Sequence, residues 1–347
     1  MIPYLVGSEC CYIGAGFSEG NPWEALSPHG GTERNTRMRG IFTAVVGVVV
    51  ASASFAQQDP QLTQYMFDRL SINPAVAGTT GQLCATGFYR QQWSGFDGAP
   101  KTGLINAHMP IAKISSGVGL SVYVDELGQQ KSNFVRASYS FHRKIGVGTL
   151  GIGLSAGLLA HSLGNDWLAR DPVADDTAIP GNGQSDSKFD MSAGLYYTSP
   201  TFWIGLSSTH LTEPELSDVS IASVRHYFVQ AGYDWAVGGD KKYVLQPSTL
   251  IKSDGTSTQL DLNATFLYNN QVWLGVSYRT EDAIAPMLGY QYQMPNKKSM
   301  LKIGYSYDVT TSRLKNYSSG SHEIMLNYCV LLEKKPDLQI YKNVRFL

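Results

Sequence analysis

Histidines are the first residues in this sequence whose chemistry could matter. His108, His142 and His322 could each serve as a general base, but a hydrolase also needs a serine and an acid within hydrogen-bond reach. None of the three has a G-x-S-x-G or similar context. No Cys and His spacing matches a metal site either. We therefore predict that the protein is not an enzyme, with no catalytic residue, no cofactor and no metal.

Two further patterns look like ligand sites. Gly146, Gly148 and Gly151 match G-x-G-x-x-G, a fingerprint that needs a helix N-terminus to hold a pyrophosphate. Here the motif opens an alternating segment, which we interpret as a hairpin turn followed by glycines on a polar face. Carboxylates also cluster between residues 161 and 188, without the spacing of a calcium loop, and we interpret that segment as a solvated loop. They are Asp166, Asp171, Asp175, Asp176 and Asp186.

The elements that carry these residues all resemble one strand, Met300–Val309. Leu301, Ile303, Tyr305, Tyr307 and Val309 fall on one face of this segment, and Lys302, Gly304, Ser306 and Asp308 fall on the other. The same alternation recurs in about fourteen segments, an even number within the range of outer-membrane barrels.

Charged residues decide which face would meet lipid. A charge on the lipid side at the bilayer midplane costs roughly 2–4 kcal/mol, so the charged face must point into the lumen. A soluble β-sandwich would instead bury the apolar face, and periodicity alone does not separate the two folds. Export, strand number and connection lengths favour an all-β, transmembrane outer-membrane antiparallel β-barrel over residues 81–332. The charged residues predicted to face the lumen are Arg136, His142, Asp234, Asp261, Arg279, Lys302 and Asp308.

Connection lengths predict the orientation of this barrel. Long connections follow odd-numbered strands and short ones follow even-numbered strands, with Ser253–Ser257 and Thr280–Asp282 as exceptions. Outer-membrane barrels have long extracellular loops and short periplasmic turns. We therefore expect both termini in the periplasm, with residues 57–80 as an N-terminal segment lying before the sheet and residues 333–347 as a C-terminal tail.

The start of the chain resembles an export signal. Arg39 precedes the apolar run Ile41–Val50, which is too short to span a membrane as a helix, and Ser54-Phe-Ala56 is a small-x-small cleavage site. We predict a signal peptide over residues 38–56, with cleavage after Ala56. Residues 1–37 then read as an upstream extension from a misassigned start, the alternative being a genuine leader.

Composition limits the possible partners. Charged residues make up 16% of the chain, against roughly 25% in soluble domains. Removing residues 1–56 takes away three of the 27 basic and four of the 28 acidic residues, which leaves 24 of each. A chain with this balance has no excess of positive charge that would favour binding of nucleic acid. Cys84 and Cys329 would pair if the first and last strands are neighbours, but we expect two buried thiols.

Several segments together resemble the PorP/SprF family of outer-membrane proteins associated with type IX secretion and gliding motility. They are Gln58–Phe67, Ile72–Gly78, Arg90–Trp93, Phe96–Thr102, Gly117–Gly128, His226–Gly232, Leu301–Asp308 and Ser318–Leu326. The motif residues that carry the resemblance are Gln58, Asp59, Pro60, Gln64, Tyr65, Met66, Asn73, Pro74, Gly78, Arg90, Gln91, Trp93, Gly98, Pro100, Lys101, His322 and Glu323.

The resemblance implies a non-enzymatic barrel that supports export or surface attachment of adhesin-type cargo. Its implied partners are periplasmic type IX secretion components, the cargo and outer-membrane lipid. Two other functions stay open from the sequence. One is a passive porin or small-molecule transporter, and the other is a soluble secreted sandwich or surface adhesin.

Overall fold

The computed structural model describes residues 60–95, 97–164, 183–219, 221–238 and 242–332, all within one unit, Ser54–Leu347. The predicted signal peptide, the extension 1–37, the tail 333–347 and most of the aspartate-rich loop lie outside the described residues. The main element is a sheet of antiparallel strands. Its strands are β1 Leu83–Gln91, β2 Lys101–Ile111, β3 Ser116–Leu127, β4 Gln130–Ile145, β5 Gly148–Leu163, β6 Gln184–Thr198, β7 Phe202–Thr209, β8 His226–Tyr233 continued by Trp235–Val237, β9 Tyr243–Ser253, β10 Thr258–Tyr268, β11 Val272–Arg279, β12 Ala283–Gln293, β13 Ser299–Thr310 and β14 Ser321–Val330.

These fourteen strands form a closed ring. Each strand pairs with its neighbours in the chain, and β1 also pairs with β14, where Leu83 lies opposite Val330. Strand β8 breaks at Asp234, but both of its segments pair with β9. The predicted closed antiparallel barrel is therefore confirmed. The connection from β7 to β8 adds a small hairpin, Glu215–Leu216 with Ile221–Ala222.

The helical residues in the described ranges form only short 3-10 turns. They are Tyr65–Phe67, Pro74–Val76, Ala112–Ile114, Ser217–Val219 and Arg313–Asn316. None of the described helices has the length and apolar character needed to cross a bilayer.

The apolar stripes of the strands face outward. On β5, Ile152, Leu154 and Leu158 are 49%, 56% and 60% exposed, whereas Gly153 and Ser155 between them are buried. Alternation on a strand sends successive side chains to opposite faces of the sheet. The outer surface is therefore apolar and aromatic, and the inner face is lined by small and polar residues.

The N-terminal segment differs from expectation, because residues 60–82 lie inside the barrel and not before the sheet. Leu62, Tyr65, Met66, Ala75 and Val76 are buried in one apolar cluster. Side chains of the inner wall complete this cluster, namely Phe88, Leu104, Tyr196, Trp203, Phe228, Leu250, Leu267, Trp273, Met287 and Met325. The physical reason is burial: the segment removes its own apolar surface from water inside a lumen whose small residues leave room for it. We call residues 60–82 the plug.

The plug crosses the lumen from one mouth to the other. Pro60 and Gln61 line a cavity of about 370 Å³ together with Trp93 and Pro100 of the β1–β2 loop, at the end of the long loops. Gly78 lies at the opposite end, where its amide donates to His108 Nδ1 over 3.2 Å before the chain enters β1. Pro60 and Leu332 therefore lie at opposite ends of the barrel, which differs from the expectation of both flanking segments on one side.

The prediction of two free thiols is wrong. Cys84 and Cys329 are joined by a disulfide across the β1–β14 pair, where they lie directly opposite each other. The physical reason is closure of the ring. Cys84 is the second residue of the first strand, and Cys329 is the second-last residue of the last strand, so antiparallel pairing brings them to one level.

Candidate functional site

The plug is held at the long-loop end by a carboxylate of the last strand. The backbone amides of Thr63 and Gln64 donate to the two oxygens of Glu323 over 2.8 and 2.9 Å. The Thr63 hydroxyl donates to Asp308 over 2.8 Å. Glu323 and Asp308 are fully buried. Charged acceptors for otherwise orphaned amides make strong hydrogen bonds, so this pair of carboxylates fixes the start of the plug.

Two buried arginines neutralise these carboxylates. Arg90 contacts Asp308 over 2.7 Å and Glu323 over 3.1 Å, and it donates to Thr63 Oγ1 over 2.9 Å. Arg279 contacts Asp308 over 3.2 Å and Asp261 over 3.2 Å. A buried charge is tolerable only when it is paired and hydrogen-bonded. These five side chains therefore act as one unit, which we call the ionic clasp: Arg90, Asp261, Arg279, Asp308 and Glu323.

A second anchor lies nearer the short-turn end, at the Asn73-Pro74 dipeptide. Asn73 caps the 3-10 turn Pro74–Val76, because its Oδ1 accepts from the Ala75 amide over 2.9 Å. Its Nδ2 donates to the Leu195 carbonyl of β6 over 3.0 Å. The wall opposite is glycine because the backbones touch: a Cβ on Gly153 would lie 2.2 Å from the Ala75 nitrogen. The close packing of the plug against the wall therefore depends on Asn73 in the plug and on Gly153 in β5.

The middle of the plug carries a buried acid, Asp68, and a half-buried base, Arg69. Asp68 accepts from Asn106 Nδ2 of β2. Burial raises the pKa of the Asp68 carboxyl to about 6, against the opposing effects of Asn106 and Arg69. Arg69 lies 3.8 Å above the Trp203 ring and donates to Tyr196 Oη over 2.6 Å. These contacts hold the centre of the plug to β2, β6 and β7.

Burial also governs the Tyr65 hydroxyl, which lies within 3.2 Å of Ser248 Oγ on β9. Burial raises the pKa of the Tyr65 hydroxyl above its usual range, so the phenol stays neutral and keeps its hydrogen bond. Phe67 packs on Trp273 of β11 with ring centroids 4.6 Å apart. The plug therefore contacts strands all around the ring.

The structure brings some predicted residues together and separates others. The clasp joins Arg90 and Glu323 of the family motif to Asp261, Arg279 and Asp308 of the charged set. Other members of the charged set lie elsewhere inside the barrel: Arg136 donates to the Ser71 carbonyl, His142 contacts the Ala77 carbonyl, Asp234 accepts from Gln246, and Lys302 lies over the Phe67 ring.

Several motif residues lie away from the plug. His322 is on the outer face, where its ring contacts Tyr305 Oη over 2.7 Å. Gln91 ends β1, Trp93, Gly98 and Pro100 lie on the β1–β2 loop, and Lys101 begins β2. Gln58 and Asp59 lie outside the described residues. Among the residues that the structure describes, no group of His, Cys, Asp and Glu side chains could hold a metal.

Sequence reasoning missed four residues that join the plug to the wall or to the clasp, namely Thr63, Asp68 and Arg69 of the plug and Asn106 of β2. Thr63 carries no sequence signal of its own. Asp68 and Arg69 sit between Phe67 and Leu70, and a charged pair inside an apolar stretch is a signal that could have indicated burial against polar partners. The alternation on β2 places Asn106 on the polar face, but nothing in the sequence identifies its partner.

The plug divides the space inside the barrel. A cavity of about 370 Å³ lies on the long-loop side, lined by Pro60 and Gln61. A second cavity of about 320 Å³ lies on the short-turn side, lined by Met66 and Phe67. Plug residues line both cavities, so the lumen is occluded between them.

Fold and site together define a membrane β-barrel whose lumen is plugged by its own N-terminal segment. The family model described as "Type IX secretion system membrane protein PorP/SprF" matches residues 54–328. The chain belongs to the PorP/SprF family, as its motifs indicated. No curated protein matches the sequence.

Several solved barrels are similar in fold. The Pseudomonas putida toluene transporter TodX is 9% identical, with a TM-score of 0.48 over 80% of this chain and 95% of that one. The CymD monoaromatic hydrocarbon channel is 12% identical, with a TM-score of 0.46 over 82% and 95%. Acinetobacter baumannii Omp33 is 8% identical, with a TM-score of 0.38 over 72% and 96%. Identities and TM-scores this low carry no inference about function.

Proposed function

We propose that this protein is a non-enzymatic outer-membrane barrel of the type IX secretion system. It supports export or surface attachment of adhesin-type cargo and docks periplasmic secretion or motility components. Membership of the PorP/SprF family supports the secretion role. We also propose that residues 38–56 are a signal peptide cleaved near Ala56, and that the short-turn end and the tail 333–347 face the periplasm.

The plug is the observation that favours this function over the alternative of a passive porin. An open porin needs a water-filled lumen along its whole length. Here the lumen is crossed by a segment with more than ten buried residues, held by the ionic clasp at one end and Asn73 at the other. Undocking would break the three hydrogen bonds that Thr63 and Gln64 donate to the clasp carboxylates and would expose the apolar side chains of the plug to water, so spontaneous opening is disfavoured.

Planar-bilayer conductance tests the occlusion. Purified full-length protein should show no large steady conductance, and deletion of residues 60–80 should open a steady pore in the same barrel. A large steady conductance from the full-length protein would support the porin function and refute ours.

Cross-linking in cells tests the secretion role itself. Wild-type barrel should capture periplasmic type IX secretion components and an adhesin-type protein. A variant truncated after Leu332 should still insert into the outer membrane but lose the periplasmic partners. Normal capture and normal secretion in that variant would show that the tail has no docking role, and failure of the wild type to capture any secretion component would refute the proposal.

A further inference from the structure

The two rims of the barrel differ in charge. We define the short-turn rim as the turns after even-numbered strands together with the three strand residues that flank each turn. Its charged residues in the described ranges are all basic: Lys113, Arg143, Lys144, Lys242, Lys297 and Lys298. By the same definition, the long-loop rim mixes signs and includes Asp97, Glu126 and Glu281 beside Lys131. The described part of the short-turn rim is therefore cationic, and we call these six basic residues the cationic ring.

The cationic ring begins where the outward aromatic residues end. On β4, Tyr139, Phe141 and Arg143 follow one another on the outer face, so Arg143 is the first charge below the aromatic residues. Lys242 Nζ lies 5.4 Å from the centre of the Tyr268 ring and 5.9 Å from that of Tyr243. Aromatic belts mark the level of the lipid headgroups in membrane proteins. Arg143 and Lys242 therefore lie at headgroup depth, and the other four basic residues belong to turns and strand ends of the same rim.

Exposed apolar residues stand among these cations. Val147 in the β4–β5 turn is 80% exposed, and Ile145 at the end of β4 and Ile114 in the neighbouring β2–β3 turn are also exposed. The β4–β5 hairpin extends beyond β3, since Ser116, the first residue of β3, pairs with Phe141 while β4 continues to Ile145. Basic residues with apolar neighbours at an interface bind anionic membranes through charge and burial together.

We propose that the cationic ring binds the headgroups of anionic phospholipids in the leaflet at the short-turn end. The occupant is lipid and not an acidic protein because the ring continues the lipid-facing aromatic surface, and its apolar residues lie next to that surface. This inference does not depend on the secretion role; only the name of the leaflet, periplasmic, rests on the proposed orientation.

Native mass spectrometry of the purified full-length barrel tests this proposal. The protein is equilibrated with an equimolar mixture of phosphatidylglycerol and phosphatidylcholine, and the ratio of the two retained lipids is measured. We expect enrichment of phosphatidylglycerol that weakens with added salt. The triple variant Lys113→Gln, Arg143→Gln, Lys144→Gln should lower the ratio by at least about fivefold, because one basic side chain near an anionic surface contributes roughly a fivefold factor.

A matched triple variant at the opposite rim provides the control. Lys101→Gln, Arg313→Gln, Lys315→Gln removes the same charge from exposed positions and should leave the lipid ratio unchanged. Retained barrel structure in both variants is checked by circular dichroism. An equal loss in both triples, or no loss in the short-turn triple, refutes the proposal. Capture of an acidic protein by the ring in place of phosphatidylglycerol also refutes it.

Discussion

Replacing Arg90 with alanine should release the plug without unfolding the barrel. In the wild type Arg90 is the only described cation in contact with Glu323, and it shares Asp308 with Arg279. Without Arg90, the docked state keeps Glu323 buried with two backbone amides alone. When the plug leaves, water reaches the lumen and solvates that carboxylate, so the penalty falls on the docked state.

The size of the effect follows from the burial of the pair. Removing one partner of a buried ion pair costs about 3–5 kcal/mol. A loss of about 4 kcal/mol shifts the ratio of docked to undocked plug by roughly a thousandfold. The backbone hydrogen bonds that pair the strands around the ring do not involve the Arg90 side chain, so the barrel should persist.

Thiol labelling measures this shift. Met66 is buried against the wall, and a Met66→Cys substitution reports opening through its rate of reaction with a maleimide. Adding Arg90→Ala should raise that rate by two to three orders of magnitude, within the thousandfold bound. Arg90→Lys keeps the charge but loses the two-pronged contact, and should give an intermediate rate. Lys101→Ala, at an exposed position, is the control. Equal labelling rates in Arg90→Ala and wild type, with the barrel intact, would refute the role of the clasp.

Three further outcomes are expected. The pKa of Asp68 is about 6 when the plug is docked, which is above its value in an unfolded chain, so docking takes up a proton. The protection of residues 66–70 from hydrogen exchange should therefore fall as pH rises through about 6. The Asp68→Asn substitution should abolish this pH dependence. Gly117→Ala, whose Cβ would lie 2.1 Å from the Ala77 carbonyl oxygen, should expose the plug to protease, whereas Gly103→Ala, with open space around its Cβ, should not. Reduction of the disulfide, or the substitution Cys329→Ser, should lower the free energy of unfolding of the barrel by about 2–4 kcal/mol. The temperature at which heating changes the mobility of the barrel on a gel should then fall, and an unchanged transition temperature would contradict this.

Alternation made the barrel predictable from sequence. Strand segments such as Met300–Val309 show a period of two with charges on one face only. Because lipid surrounds the barrel, the charged face of such a strand must point into the lumen. The number of strands was predicted by counting the alternating segments. The break of β8 at Asp234 carries no comparable signal, because Asp234 keeps its place on the polar face and leaves the period of two unchanged.

The plug could not be predicted in the same way. Residues 60–82 have no period, since their conformation is set by the wall of the lumen and not by their own pattern. Arg90 and Glu323 were singled out by the family motif and Asp308 by its polar face, but only the register between β1 and β14 brings them together. Distant pairings of this kind depend on ring closure, which local sequence does not encode.

The disulfide restricts where the wall of the barrel can open. Cys84 and Cys329 join the two strands at which the ring closes, and a covalent bond there prevents these strands from parting sideways into the bilayer. The bond lies near the short-turn end of both strands, so separation of the seam at that end is excluded while the bond is intact. A lateral opening of the wall at the short-turn end would therefore have to form between two other strands.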